Sequence, residues 1–342
     1  MSGMPKITGR GLPSFLHHRV FICFAVLVTA IFLCSFLTLL LGKVEFGIAD
    51  LLNALAEPGG EDVSHRIFWN LRVPRLVAAI LAGSALAVSG LSLQTVFRNP
   101  LCGPFVLGIS SGASLGVALA LLAGMGFGHL GVLGAASAGA LAVTLVVMTI
   151  ASFFTRSSVL LVAGLLIGYF IDALVSMVIV GAEAENLQVY VAWGMGSFGR
   201  LTLDAVWLFV AAVAVGLALV AGSIRYLNAA RMGDDFARGL GVNVKVARKC
   251  VLLGSSILAG ASTAFCGPVA FIGIAVPHLA YMMFRSTNHR ILIPGAACTG
   301  ALLALVAGLF PAAIPLNAVL SAVGVPIILY VMLRSSKSGR EL

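Results

Sequence analysis

The chain has 342 residues, 60% of them hydrophobic and only 10% charged, with a mean hydropathy of +1.10. A soluble domain of this size carries about 25% charged residues, and the apolar residues here fall in long blocks rather than alternating along ~10-residue strands. A water-soluble fold and a membrane barrel are both excluded, and the net charge of +9 bears on membrane topology rather than on nucleic acid.

A span needs about 20 apolar residues to cross ~30 Å of hydrocarbon. The first apolar run, 20–42, follows Lys6, Arg10 and Arg19. It is longer than the ~7–15 residues of a signal core and no A-x-A site follows, so it reads as a first span behind a tail of residues 1–19. Further spans are expected at about 76–96, 106–125, 130–154, 159–181, 203–224, 250–269, 271–285, 292–309 and 316–333, with a second tail at 334–342. The eighth is short and contains Pro277, which points to a broken or tilted helix.

Ten spans put both termini on one side. On that side, the tails and the loops near 97–105, 155–158, 225–249 and 285–291 hold sixteen of the 21 Lys and Arg residues; the opposite loops hold Lys43, Arg66, Arg72, Arg75 and Arg200. The positive-inside rule therefore predicts cytoplasmic termini. Segment 225–249 is the most charged loop and reads as short amphipathic helices, with Gly233-Asp234-Asp235 as a start and Gly239 and Gly241 as stops. The outward segment 182–201 is moderately apolar around Trp193 and reads as a re-entrant half-helix. Cys102-Gly103-Pro104 and Cys266-Gly267-Pro268 lie five spans apart and on opposite faces, as an inverted 5+5 repeat would place them; chance similarity in Gly-rich sequence is the rival reading.

Groups able to do covalent chemistry are scarce. The sequence has no G-x-x-x-x-G-K-[ST] phosphate loop and no H-E-x-x-H, so ATP hydrolysis by the familiar machinery is excluded. The six cysteines lack CxxC spacing and read as small core residues, with no metal site. The 39 glycines suit close helix packing. Asp172 is the one acid near the middle of a span, where a carboxylate facing lipid costs roughly 2.5–3.5 kcal/mol. It either lines a pathway or hydrogen-bonds a neighbouring helix. Arg72 and Arg75 stand on the expected outer side against the charge trend, either docking an acidic partner or snorkelling. His278 reads first as a packed hydrogen-bonder.

Several stretches together resemble the FecCD-type (iron-chelate/vitamin B12) permease family. They are Leu71-Arg72-Val73-Pro74-Arg75; Gly83-Ser84-Ala85 through Gly90; Gln94 with Arg98-Asn99-Pro100-Leu101; Leu107-Gly108-Ile109-Ser110-Ser111-Gly112; Trp193-Gly194; Met232-Gly233 with Ala237 and Leu240-Gly241-Val242; and Gly267-Pro268 through Val276-Pro277-His278. The likeness runs in order from about residue 70 to 335. It implies an all-α permease of the type II ABC importer architecture, working as a homodimer with the path between subunits. Two separate ATPase subunits would hold ATP and Mg, a periplasmic binding protein would deliver the substrate, and this chain would hold no cofactor of its own.

By the same resemblance Arg72 and Arg75 would dock the binding protein, and Met232, Gly233, Asp234, Asp235, Ala237, Leu240 and Gly241 would couple to the ATPase. Gln94, Asn99, Pro100, Ser110, Ser111, Trp193, Pro277 and His278, with Asp172, are the candidate pathway or gate positions. The family often carries Ala-Asp and a later Arg after the ninth span; here Ala307 through Pro315 has neither charge, so the docking surface is expected to differ. Substrate identity is not encoded legibly: His129, Tyr190 and Met195 near the outer mouth form no ligand set. The rival to an importer subunit is an ion-coupled secondary transporter built around Asp172.

Overall fold

A computed structural model of the chain describes residues 14–42, 47–56, 62–122, 129–153, 157–311 and 314–338; the expected terminal tails lie largely outside them. Every regular element among these residues is helical. The chain enters through α1 (Ser14–Leu40), continues through two short helices, α2 (Ile48–Ala56) and α3 (Val63–Ile67), and a π-helical turn at Phe68–Arg72 leads without a break into α4 (Val73–Phe97). Then come α5 (Ile109–Leu122), α6 (His129–Phe153), α7 (Ser157–Val180), the short α8 (Ala184–Gly194) and α9 (Leu203–Gly222). Two more short helices, α10 (Ile224–Ala230) and α11 (Asp234–Gly239), precede α12 (Val244–Cys266), α13 (Ile272–Phe284), α14 (His289–Gly308) and α15 (Leu316–Ser338).

Ten of these match the ten expected spans. Seven are long and apolar enough to cross a membrane, and α5, α13 and the apolar part of α15 are shorter. Pro277 sits inside α13 without breaking it; α13 is one continuous helix of 13 residues. Its shortness, not a fracture, is what the sequence registers there.

The bundle is organised around α4 and α12, the two most enclosed spans, while α1 lies at the periphery with few of its residues fully buried. Small residues make this centre possible. A Cβ on Gly83 would lie 2.3 Å from the Gly300 carbonyl oxygen, and one on Gly300 would lie 2.3 Å from that of Gly83, so α4 and α14 touch backbone to backbone. A Cβ on Gly90 would lie 1.7 Å from the Gly273 oxygen, which fixes α13 against the middle of α4 in the same way.

The two Cys-Gly-Pro stretches play parallel parts. Each follows a central helix, α4 or α12, and each leads into a short one, α5 or α13. They also meet: Gly103 packs against the Ile274 side chain, and Gly273 against Pro104. All six cysteines are free thiols.

Candidate coupling segment, outer rim and pathway residues

At one end of the bundle α10 and α11 form a compact bracket. Gly233, at φ +120°, makes the turn that only glycine takes comfortably, and Asp234 begins α11. Arg248, near the start of α12, holds Asp234 at 2.5 Å and directs its Nε toward the Tyr226 hydroxyl at 3.4 Å. Arg98, in the left-handed conformation that caps α4, stands 3.9 Å from Asp234 and donates to the Ala230 carbonyl at 3.1 Å. Burial pushes the Tyr226 phenol above its ordinary range, against the pull of Arg248.

A second joint ties α10 to the bundle. The Asn228 side-chain oxygen accepts the His289 backbone N–H at 2.8 Å and lies 2.9 Å from its Nδ1. The other ring nitrogen of His289 lies 2.9 Å from the Thr95 hydroxyl on α4. Any force on α10 or α11 therefore reaches α4, α12 and α14 through fixed polar contacts. His289 stands in the stretch Asn288-His289-Arg290 that also resembles the family, whereas Asn228 and Arg248 are functional candidates that sequence reasoning did not single out. Their types, polar residues beside apolar spans, were the available signal.

The bracket shows an apolar stripe to its surroundings. Met232, Phe236 and Leu240, at spacings of four, are 72%, 44% and 62% exposed. Ala237, expected among the coupling contacts, is fully buried instead and braces α11 from behind; Phe236, not anticipated, takes the outward position. Asp235 is exposed and paired with Arg238, and Gly241, at φ +76°, turns the chain toward α12.

At the opposite end the two arginines of the expected outer side are tied down. Arg72 is only 6% exposed and donates to the Leu39 carbonyl near the end of α1. Arg75 is half-buried and donates to the Gly308 carbonyl at 2.6 Å, at the end of α14. Each cation sits where a helix C-terminus leaves carbonyls unpaired and a partial negative charge. Beside them, Asn317 knots the surface: its amide group donates to Pro268 O at 2.8 Å and accepts the Ala270 N–H at 2.9 Å.

Among the described residues the candidate pathway positions make several separate polar contacts. Gln94 donates to the Ile274 carbonyl at 3.2 Å, and His278, the residue after Pro277, places Nδ1 2.7 Å from the same oxygen. Ser110 pairs with the Thr263 hydroxyl at 3.2 Å, Ser111 faces Gly168 on α7, and Asn99 caps its own turn by accepting the Leu101 N–H, with Pro100 between them. Trp193 is buried and stacks on Tyr190, with ring centres 6.4 Å apart. The side chain of His129 lies outside the described residues. Asp172 hydrogen-bonds none of these side chains, though its carboxylate is near enough to the Tyr190 phenol for their electrostatics to couple. It is exposed on the outward face of α7, among exposed Tyr169, Phe170 and Met177, and its carboxylate makes no hydrogen bond to another helix among the described residues. Among the described residues, no cluster of metal-ligating side chains occurs.

Ten apolar helices around a glycine-packed centre, with polar brackets at both ends, define a multi-pass membrane protein. The chain belongs to the FecCD transport family, whose signature matches residues 27–334. It is 32% identical over 314 residues to the vitamin B12 import system permease protein BtuC of Salmonella typhi, covering 90% of this chain and 93% of that one. The BtuC protein of Salmonella newport (strain SL254) is similar to the same extent. Among solved structures, one assigned to a metal-chelate type ABC transporter in an inward-facing conformation superposes with a TM-score of 0.81. It has 25% identity and covers 92% of this chain and 99% of its own.

Proposed function

We propose that this chain is the permease subunit of a binding-protein-dependent ABC importer for a metal chelate, meaning a ferric siderophore, haem or cobalamin. Two copies would form the path between them, two ATPase subunits would sit beneath α10 and α11, and a periplasmic binding protein would load the opposite end. Both termini would be cytoplasmic. The relatives named for vitamin B12 import and the metal-chelate transporter structure support the substrate class.

The observation that carries this reading is the exposed Met232–Phe236–Leu240 stripe on a bracket locked to three bundle helices. An apolar surface presented to water is unstable unless a partner covers it. Its rigid attachment allows closure of an ATPase dimer to act as rigid-body motion of the spans. An ion-coupled secondary transporter has no use for such a surface.

In this mechanism the chain breaks no bond. Closure of the nucleotide-bound ATPase pair pushes the two brackets together, α4, α12 and α14 follow, and the path opens toward the binding protein. Hydrolysis resets it.

The test is reconstitution in proteoliposomes with and without an ATPase subunit and binding protein. Uptake should require both and ATP. Uptake by the chain alone under a proton or sodium gradient would overturn the proposal. Phe236→Asp with Leu240→Asp should abolish co-purification of the ATPase while the permease still inserts.

A further inference from the structure

Two cavities follow one another along α12. The wider, about 540 Å³, opens among Leu121, Val132, Ala205 and Phe265, with Gln188 and Arg200 also lining it. The narrower, about 250 Å³, lies among Leu141, Thr144, Leu208, Ala212 and Ile257 and shares Phe265 with the first. Together they form a groove with α12 as its floor and α6 and α9 as its walls. Leu141 and Leu208, which flank it, are exposed on the surface that faces hydrocarbon.

The dimensions of the groove fit one kind of occupant. From Val132 to Thr144 along α6 the groove descends about 18 Å at the ~1.5 Å rise of a helix. The hydrocarbon core is ~30 Å thick, so the groove runs from the rim to about mid-membrane, the depth of one leaflet. Its lower wall is mainly apolar, interrupted by the hydroxyls of Ser137, Thr144 and Ser256, and that of Thr144 is already spent on the Ala140 carbonyl. The rim has the marks of a headgroup level: Trp193 and Tyr190 stack there, as aromatic residues do at membrane interfaces.

Arg200 supplies the charge. One of its N–H groups donates to the Ala192 carbonyl, and a guanidinium has five. Among the described residues the ion pairs join Arg98, Arg238 and Arg248 to Asp234 or Asp235, so no carboxylate neutralises Arg200. Burial works against its charged form. A half-buried, uncompensated cation above a leaflet-deep apolar groove matches an amphiphile with an anionic head.

We propose that this groove binds one anionic glycerophospholipid, with an acyl chain laid along α12 between α6 and α9 and its phosphate against Arg200 and Gln188. Occupancy would hold α6 and α9 at a fixed spacing. A second copy of the chain is the poorer fit, because the groove is recessed between helices, while the Asp172 face of α7 is the surface that needs protein or water against it.

The test uses the purified full chain with Trp69→Phe and Trp207→Phe, which leaves Trp193 in the groove wall as the reporter. In vesicles containing acyl-brominated phosphatidylglycerol, Trp193 quenching should reach half its maximum at a mole fraction about fivefold lower than with brominated phosphatidylcholine, the effect of about one basic contact. Arg200→Gln should remove that preference and Arg200→Lys should keep most of it. Ala212→Phe, which fills the lower cavity without touching the rim, should weaken quenching by both lipids. Equal half-points for the two lipids, unchanged by Arg200→Gln, would overturn the proposal. So would a Trp193 that neither lipid reaches, which would put a second copy over the groove, or quenching relieved by adding a ferric chelate or cobalamin, which would make it a substrate site.

Discussion

Arg248 and Asp234 join the start of α12 to the start of α11 at 2.5 Å, and the Arg248 side chain is almost wholly enclosed while Asp234 is a quarter exposed. This pair sets the angle between the α10–α11 bracket and the central helix. An enclosed guanidinium that loses its carboxylate keeps its desolvation cost without the opposite charge that offset it. Asp234→Ala should therefore lower stability by about 2 kcal/mol, less than a fully buried pair because water reaches the carboxylate. Thermal unfolding in detergent measures this. In reconstituted vesicles the same variant should keep the ATPase attached and its hydrolysis running while uptake falls. Normal coupling with Asp234→Ala would remove the pair from the mechanism.

Glycine at position 90 is a steric requirement. A Cβ there would lie 1.7 Å from the Gly273 carbonyl oxygen, which is backbone and cannot swing aside. Gly90→Ala should force α13 away from α4 and destabilise by about 3 kcal/mol. Gly134, also helical, has nothing within 4 Å of the added carbon. Gly134→Ala should be neutral or stabilise by about 0.5–1 kcal/mol, as alanine favours a helix interior. Equal unfolding temperatures for the two variants would contradict the packing described for the centre.

The outer arginines should separate in their effects. Arg72, enclosed and bonded to the Leu39 carbonyl, cannot reach far beyond the chain, so Arg72→Ala should cost about 2 kcal/mol of stability, the loss of a charged hydrogen bond. Arg75 is more open. Arg75→Glu should weaken binding-protein affinity about tenfold at low ionic strength, with the difference shrinking as salt rises. Affinity measured by surface plasmon resonance over a salt series decides it; a salt-independent affinity, unchanged by Arg75→Glu, would leave both arginines with helix capping alone.

These contrasts mark the boundary of what the residues alone reveal. The ten apolar runs were legible because hydrocarbon thickness imposes a length that no loop shares, and the bracket was legible because charge and glycine interrupt apolar sequence at 225–249. The short helices between α1 and α4 were not. Leu51, Ala54 and Phe68 form a small core there, and Trp69 donates to the Ala54 carbonyl at 3.1 Å. The elements making that core, α2 and the π-helical turn at Phe68–Arg72, are only nine and five residues long, below the window over which periodicity speaks. Burial of Ala237 behind exposed Phe236 was equally hidden, since α11 is six residues long and either face suits an apolar side chain. Arg72 read as an outward charge because one-dimensional sequence cannot register that the end of α1 returns beside it.

Asp172 is the position where membrane physics gives the clearest expectation. Its carboxylate is on the exposed face of α7, well within the span. Against lipid it would cost roughly 2.5–3.5 kcal/mol, with no hydrogen bond from another helix among the described residues to offset that. A water-lined path between two copies of the chain removes the penalty, and an aqueous thiol at that position would be reactive where one in hydrocarbon would not. With the six native cysteines replaced by alanine or serine, Asp172→Cys in the assembled transporter should react with a membrane-impermeant maleimide. The labelling rate should change when ATP and vanadate trap the ATPase closed. Leu166→Cys, also exposed but on an apolar stretch nearer the other end of α7, should label differently in the two states if the path opens alternately. Asp172→Asn should assemble and carry substrate at a reduced rate, because the amide retains polarity without charge, whereas Asp172→Leu should stop transport. An Asp172→Cys thiol that never labels, in a protein that still transports, would turn this face of α7 toward lipid and rule out a path along it.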